Sequence, residues 1–574
     1  MNVVSKISSV VRPAGLPAPF FTLDHNFCRN ISCLAFGVAP VIGPKHGARN
    51  RPTGRIDTSN GETWFLVCGT CNKKSVLHNN RAIAAEYRRL RRLRRAGPRA
   101  DACPNALCRQ HGLEIGATKA QYYRHGATRD GDPRFRCCAC GATFSIGSPI
   151  RRQKRSCENG SVLRLLVSGT PLTKIADITG LAPRDVYGKI DFIHQQISAF
   201  VARREGLLKD VDWETKGARF ATDMQTLFLN WPHKKTRAMV AVHHLCTAHA
   251  NSGFIVSATL QVDLDANPAA IEAAMIAAGD FVKPRSHRKF GRIWSASEFE
   301  SHLDSIVRQQ SVVQGAPQPG TQLPHAGGLV RQDVLQDAHA LLLRRILKRI
   351  KRRIVFVGDA DSGLATAFIS AFADRISART TDILTVKFEK GMSNDKRNQV
   401  AHRSRQDLAR ALGISRTHLD QMDAVVLEDA IDGLIAAELQ APGWTIPGLV
   451  GAGYPWPFDS KSEPNRKVAV LTARADDDPH RVARLLRLGT LRSVDAYFHK
   501  VRSNLRAATR AGTSASGRKW DRYYYYRPET LLKVVDIYRF YHNWMGGSRI
   551  KSTPAIQLGL ARGKIYERDL FSFR

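Results

Sequence analysis

Two matched cysteine quartets constrain this chain more than any other feature. The first joins Cys28 and Cys33, in CRNISC, to Cys68 and Cys71, in CGTC. The second joins Cys103 and Cys108, in CPNALC, to Cys137 and Cys140, in CCAC. Each reads C-x4-C, then a few tens of residues, then C-x2-C. The flanks repeat as well: GETWFLVCGTCNKKS parallels GDPRFRCCACGATFS, each carrying an aromatic on a short strand into the second pair. This is an internal duplication. A short gap lets both sulfurs of a pair face one ion, and four thiolates on two such turns suit tetrahedral zinc. Cys138, Cys157 and Cys246 fall outside the pattern and are expected to be ordinary.

Length and composition set the frame for that pattern. At 574 residues the chain exceeds one core, and about three or four domains are expected. Hydrophobic residues make up 43% and the mean hydropathy is -0.28, which suits a folded soluble protein. No apolar run reaches the about eighteen residues of a membrane span. The opening MNVVSKISSVVRPAGLPAPFF lacks a sustained apolar core and a small-residue cleavage site, so a cytoplasmic location is expected. In that setting cysteines serve metal rather than disulfides. Lys and Arg outnumber Asp and Glu 87 to 50, a formal net charge of +37. Such an excess repels itself unless a polyanion is present, which points to nucleic acid. The basic residues gather at Arg88–Arg95, Arg151–Arg155 and Arg344–Arg353.

Beyond the second quartet the spacing predicts a helix-turn-helix. Thr170 with Pro171 starts a helix over Leu172–Thr179, Gly180 supplies the turn, and Pro183 opens a second helix to about Ile197. Apolar Ile175, Ile178, Leu181 and Val186 would face inward, and Arg184, Tyr187 and Lys189 would lie on or beside a groove-reading helix. From about Arg219 the pattern turns to strands: ARFATDMQTLFLNW, then two more around a turn near Asn251–Gly253. A helix, a Gln/Pro/Gly loop and a basic helix lead to IVFVGDADSGLATAF, where an apolar run stops at Asp359, with Asp361 two residues on. Asp and Gly punctuate strand ends wherever a chain bends. An acid at a strand tip also suits a divalent cation. DILTVKFEK then adds a further strand.

Three strands, helix, strand, helix, strand, with acids on the first and fourth strands, resembles the ribonuclease H-like fold of DDE transposases and retroviral-type integrases. The closing segment is similar too: RPETLLKVVDIYRFYHNWM followed by STPAIQLGLARG resembles the end of integrase-type cores, with Tyr541, Asn543, Thr553 and Pro554 at the characteristic positions. The resemblance implies a mixed-sheet α/β catalytic core preceded by zinc ribbons and a helix-turn-helix, as in bacterial insertion-sequence transposases. Expected domains are a first ribbon at 1–80, a basic helix and second ribbon at 81–158, the helix-turn-helix at 159–210, and the core at 211–574 with a helical insertion at about 395–465. In that family the first and fourth strands lie side by side, and their acids hold two Mg²⁺ or Mn²⁺ ions about 3.5–4 Å apart. By resemblance Asp223 is the first ligand and Asp359 the second. Asp361 competes for the second role, because D-x-G also resembles the integrase pattern. The DADSGLATAF form resembles Mutator-like transposases and favours Asp359.

The third acid departs from the family pattern. A Glu six residues before a Leu-basic pair is expected; the pair here is Leu505 and Arg506, which puts His499 at that position. An imidazole is a poorer partner than a carboxylate for hard magnesium. Asp495 lies one helical turn earlier on the same face and is the preferred third ligand. Glu389 is an outside candidate, expected instead to pair with a lysine or arginine, and Glu428 falls in the inserted segment. The resemblance implies a transposase that binds the ends of a mobile element in double-stranded DNA, acts as a homo-oligomer, and resides with the bacterial nucleoid. A transposase-like DNA-binding protein without strand transfer, and a nuclease without a joining step, are the alternatives.

Overall fold

The computed structural model describes residues 15–42, 53–95, 101–111, 113, 115, 121–129, 131–151, 153–230, 239–309, 321–360, 363–441, 453–509, 523–547 and 549–573. The duplication seen in the sequence is a duplication of topology. Strands β1 (Gly54–Asp57), β2 (Phe65–Cys68) and β3 (Lys74–Val76) form one antiparallel sheet with β2 central. Strands β4 (Tyr122–Ala127), β5 (Pro133–Cys137) and β6 (Thr143–Ser145) form another with β5 central. The middle strand of each delivers a cysteine at its last residue, Cys68 or Cys137. Trp64, Leu66 and Leu77 make a small core under the first sheet, whereas the strands of the second are largely exposed.

Among the described residues nine further strands follow: β7 (Arg219–Asn230), β8 (Met239–His249), β9 (Ile255–Leu260), β10 (Val262–Asp263), β11 (Gly328–Leu329), β12 (Ile354–Asp359), β13 (Thr381–Lys387), β14 (Tyr454–Pro455) and β15 (Lys467–Val470). Strands β10 and β11 pair with each other, and the other seven form one mixed sheet in the order β14-β15-β13-β12-β7-β8-β9. The first three run antiparallel as a meander, and β12 pairs in parallel with both β7 and β13. Every residue of β8 is buried, and β12 and β13 are nearly so. Near-continuous apolar runs are what a strand covered on both faces requires. Helices Gln332–Ile346 and Leu364–Ala371 supply that cover, the first against β8 and β9, the second against β12 and β13. Between β13 and β15 come helices Asn394–Ala411, Arg416–Gln421 and Ala424–Gln440, where a helical insertion was expected.

The chain forms two compact units that differ from a linear domain reading. One gathers residues 1–90, 212–500 and 513–520; the other gathers 91–211, 501–512 and 521–574. Residues 501–512 and 521–574, expected in the core at 211–574, group with the helical unit. Packing explains this. In the helical unit Pro183–Arg204 lies along Pro528–Phe540, and the Phe200 ring meets Phe540 and Trp544 at centroid distances of 5.3 and 5.1 Å. Buried Glu205 takes an ion pair from Arg539 and another, at 2.9 Å, from Arg94.

The two expected short helices are present, with corrected boundaries. Leu172–Thr179 begins after Pro171, whose extended φ and ψ of -57° and 143° mark it, rather than Thr170, as the boundary residue. Gly180 takes the left-handed turn at φ 60°, as the reading required. Pro183 opens the second helix, which runs to Arg204 rather than stopping near Ile197, because Phe200 is buried on its far side. Ile178, expected inside, is 64% exposed.

Candidate acidic centre and cysteine clusters

Asp223 and Asp359 come together through strand register. Parallel pairing matches Thr222 of β7 with Gly358 of β12, so the next residue along each strand, Asp223 and Asp359, stand side by side. β7 does not break at Asp223 but continues to Asn230, because β8 pairs with it along its whole length. Asp495, in the first turn of the helix Arg492–Asn504, is close enough to act on the same group. Burial, then the charges of Asp495 and Asp359, push the Asp223 carboxyl up to about 7. The Met224 N–H and Lys390 oppose them. Asp223 Oδ1 is buried and has no hydrogen-bond partner. Lys390 Nζ donates to Asp359 Oδ2 at 3.1 Å from the loop after β13.

The other acidic candidates are engaged elsewhere. His499 is exposed. Glu389 is exposed too, and its Oε2 accepts from Asn465 Nδ2 at 2.7 Å, not from the lysine or arginine expected. Glu428 sits 2.6 Å from Arg487. Asp361 lies outside the described residues. Lys390 was missed in the sequence, where nothing marks a lysine three residues past a strand as a partner for the preceding strand's acid. A buried polar strip was also missed. Cys246 lies opposite Asp223 across the β7–β8 pair, its sulfur 3.1 Å from His244 Nε2, and His244 Nδ1 is 3.1 Å from Gln225 Nε2.

Both cysteine quartets close. In the first, Cys28 and Cys71 sulfurs lie 3.6 Å apart and those of Cys33 and Cys68 3.8 Å apart. In the second, Cys103–Cys140 and Cys108–Cys137 are 3.3 and 3.7 Å apart. Zinc–sulfur bonds of about 2.3 Å at tetrahedral angles separate sulfurs by about 3.8 Å, so either cluster could hold a structural metal such as zinc. The turns are alike in detail: Cys33 Sγ accepts from the Ala35 N–H and Cys108 Sγ from the Gln110 N–H, both at 3.4 Å. Each quartet also spreads its thiol acidities. Burial pushes Cys103 up to about 12 and drives Cys28 up as well. The Ala142 N–H draws Cys140 down to about 7. Burial resists the same change at Cys68, but the Cys71 and Thr70 N–H groups bring it to about 7. Cys138 and Cys157 are exposed, and Cys246 is buried in the sheet.

The residues assigned to DNA reading divide. Arg184 and Tyr187 are exposed on the first turns of Pro183–Arg204. Lys189 is the correction: it is 4% exposed, and its Nζ donates to the Lys154 and Arg155 carbonyls at 2.5 and 3.1 Å, so it braces the basic segment instead of facing a groove. The basic runs are likewise partly structural. Arg352 donates to the Trp213 carbonyl at 2.8 Å, Arg344 pairs with Asp374 at 2.9 Å, and Arg353 with Asp382 at 3.5 Å. Arg345, Lys348, Arg349 and Lys351 of that run are exposed. Among the described residues no helix is long and apolar enough to cross a membrane. No protein-family model matches the chain, and no curated protein matches it.

Proposed function

We propose that the chain is a DNA transposase that cleaves and joins strands with divalent metal. The observation that carries this reading is the meeting of Asp223 and Asp359 on parallel β7 and β12, with Asp495 near enough to raise Asp223. The order β9-β8-β7-β12-β13, with only β8 antiparallel to its neighbours on the β7 and β9 sides, supports a ribonuclease H-like core. The donor set fits Mg²⁺ or Mn²⁺: carboxylates crowd together, and one buried oxygen of Asp223 has no partner. When bound, such ions activate the attacking water or 3′-hydroxyl and stabilise the leaving oxygen. In the chain itself, Asp223, Asp359 and Asp495 supply the negative charge that holds cations, and Lys390 neutralises Asp359. The two cysteine-bearing sheets serve as zinc ribbons. With exposed Arg184 and Tyr187 they engage the ends of a mobile element, and a homo-oligomer brings two ends together.

Lys390 on Asp359 favours a second reading, a DNA-binding protein that keeps the fold without cutting. One assay separates them. Supercoiled DNA carrying candidate element ends is incubated with the protein, with and without Mg²⁺ or Mn²⁺. Metal-dependent nicks and joined products support the transposase. Binding with no cleavage under either metal supports the second reading, and cleavage without joining supports a nuclease.

A further inference from the structure

A third cluster of metal-ligand character lies away from both the acids and the cysteines. His25, His78 and Asp337 present ligand atoms that all fall within 4.8 Å of one another. His25 Nδ1 is 3.1 Å from Asp337 Oδ1, and His78 Nδ1 is 2.6 Å from Asp337 Oδ2. We propose that His25, His78 and Asp337 form a third metal site, taking a divalent transition cation of the zinc class, which pins the N-terminal cysteine-bearing segment to the helix Gln332–Ile346.

Three observations carry it. The first is spacing. Bonds of about 2.0–2.2 Å from one ion to imidazole nitrogen and carboxylate oxygen, at tetrahedral angles, separate those atoms by about 3.4 Å. Here the two nitrogen–oxygen distances are 3.1 and 2.6 Å and all the ligand atoms fall within 4.8 Å, a spread that one bound ion could even out. The second is charge. Asp337 is 1% exposed, and the hydrogen-bond partners of its two oxygens are the two imidazoles. A carboxylate buried this way needs a compensating cation. Arg29 supplies charge nearby, but its guanidinium hydrogen bonds go to the His25 carbonyl at 2.6 Å, the Val76 carbonyl at 2.7 Å and Ser370 Oγ at 2.9 Å.

The third is construction. Asn26, itself 1% exposed, clasps His78 through both of its backbone groups, donating to the carbonyl at 3.1 Å and accepting from the N–H at 2.8 Å. Asn80 Oδ1 accepts from the His25 N–H at 3.0 Å. The two histidine-bearing segments are therefore held in register by side chains before any ion arrives, the outer support that metal sites require. Three protein ligands leave a coordination position for water.

The test reads metal content of the 574-residue chain, purified without chelator, by inductively coupled plasma mass spectrometry. Wild type is expected to hold three equivalents, and Asp337→Asn and the double variant His25→Ala/His78→Ala two each, with both cysteine quartets still loaded. Two equivalents in wild type, or a stoichiometry unchanged in the variants, overturns the proposal and leaves a hydrogen-bonded clip. Titration of metal-free wild type with cobalt(II) serves if the variants misfold. Two equivalents should bring thiolate-to-cobalt charge-transfer absorption, and a third should bind without adding to it. Saturation after the thiolate sites alone overturns the assignment.

Discussion

Asp223 concentrates the electrostatics of the acidic centre. Its carboxyl rises from an ordinary 3.8 to about 7 through burial and through Asp495 and Asp359. Between those values the folded, metal-free protein keeps a proton that the unfolded chain has released. Stability therefore falls as pH rises from about 4 to about 7 and is level beyond. Asp223→Asn removes this titration. The stability of wild type relative to that variant, from urea melts with chelator present, should decline across the window; a level difference would mean an ordinary carboxyl. Asp495→Asn should move the midpoint down. In Mn²⁺-dependent cleavage, Asp223→Ala, Asp359→Ala and Asp495→Ala should each abolish product while DNA binding persists, because each strips a carboxylate from the proposed cation site. His499→Ala and Glu389→Ala should cut at the wild-type rate. Loss of cutting in either would move the third ligand to that residue.

Elements in the helical unit depend on a few close contacts. Gly169 has φ 78°, and a Cβ there would lie 2.0 Å from the Asn504 carbonyl oxygen. Gly169→Ala must therefore move backbone, at a cost beyond the about 1–3 kcal/mol of a strained conformation alone. Phe200→Ala should cost about 3–5 kcal/mol by emptying the space against Phe540 and Trp544. Chemical denaturation checks both; a loss below 1 kcal/mol, roughly the scale of a surface change, would contradict the packing described. In the cysteine-bearing sheets, Cys137→Ser should lower bound zinc by one equivalent and leave Cys28, Cys33, Cys68 and Cys71 loaded, since each quartet closes on itself. Loss of both equivalents would show the clusters to be coupled.

At the scale of the molecule the charge of +37 should govern the DNA association proposed above. Counterion release makes log affinity fall linearly with log salt, so filter binding across a salt series should give a steep slope. Arg184→Ala and Tyr187→Ala should reduce end preference more than bulk affinity, because positioning and reading are separable. Lys189→Ala should instead destabilise the fold, since Lys189 is buried against the Lys154 and Arg155 carbonyls. Equal affinity for all sequences in wild type would remove the helical unit as the reader.

What the sequence by itself determined was local or repetitive. Cysteine spacing defined both quartets, because a C-x2-C or C-x4-C turn is closed by its own backbone. Gly180 and Pro183 placed two helices and the turn between them, and buried apolar runs gave the strands of the central sheet. Tertiary structure decided what depends on distant partners. Register alone brought Asp359 beside Asp223, and packing brought Asp495 near enough to act on Asp223 while leaving His499 exposed. Lys189 turned inward because two carbonyls 34 and 35 residues away needed a donor. His25, His78 and Asp337, up to 312 residues apart, left no pattern to read. A short turn closes its contacts within the segment that encodes it, whereas a buried charge is answered by whichever chain the fold brings near.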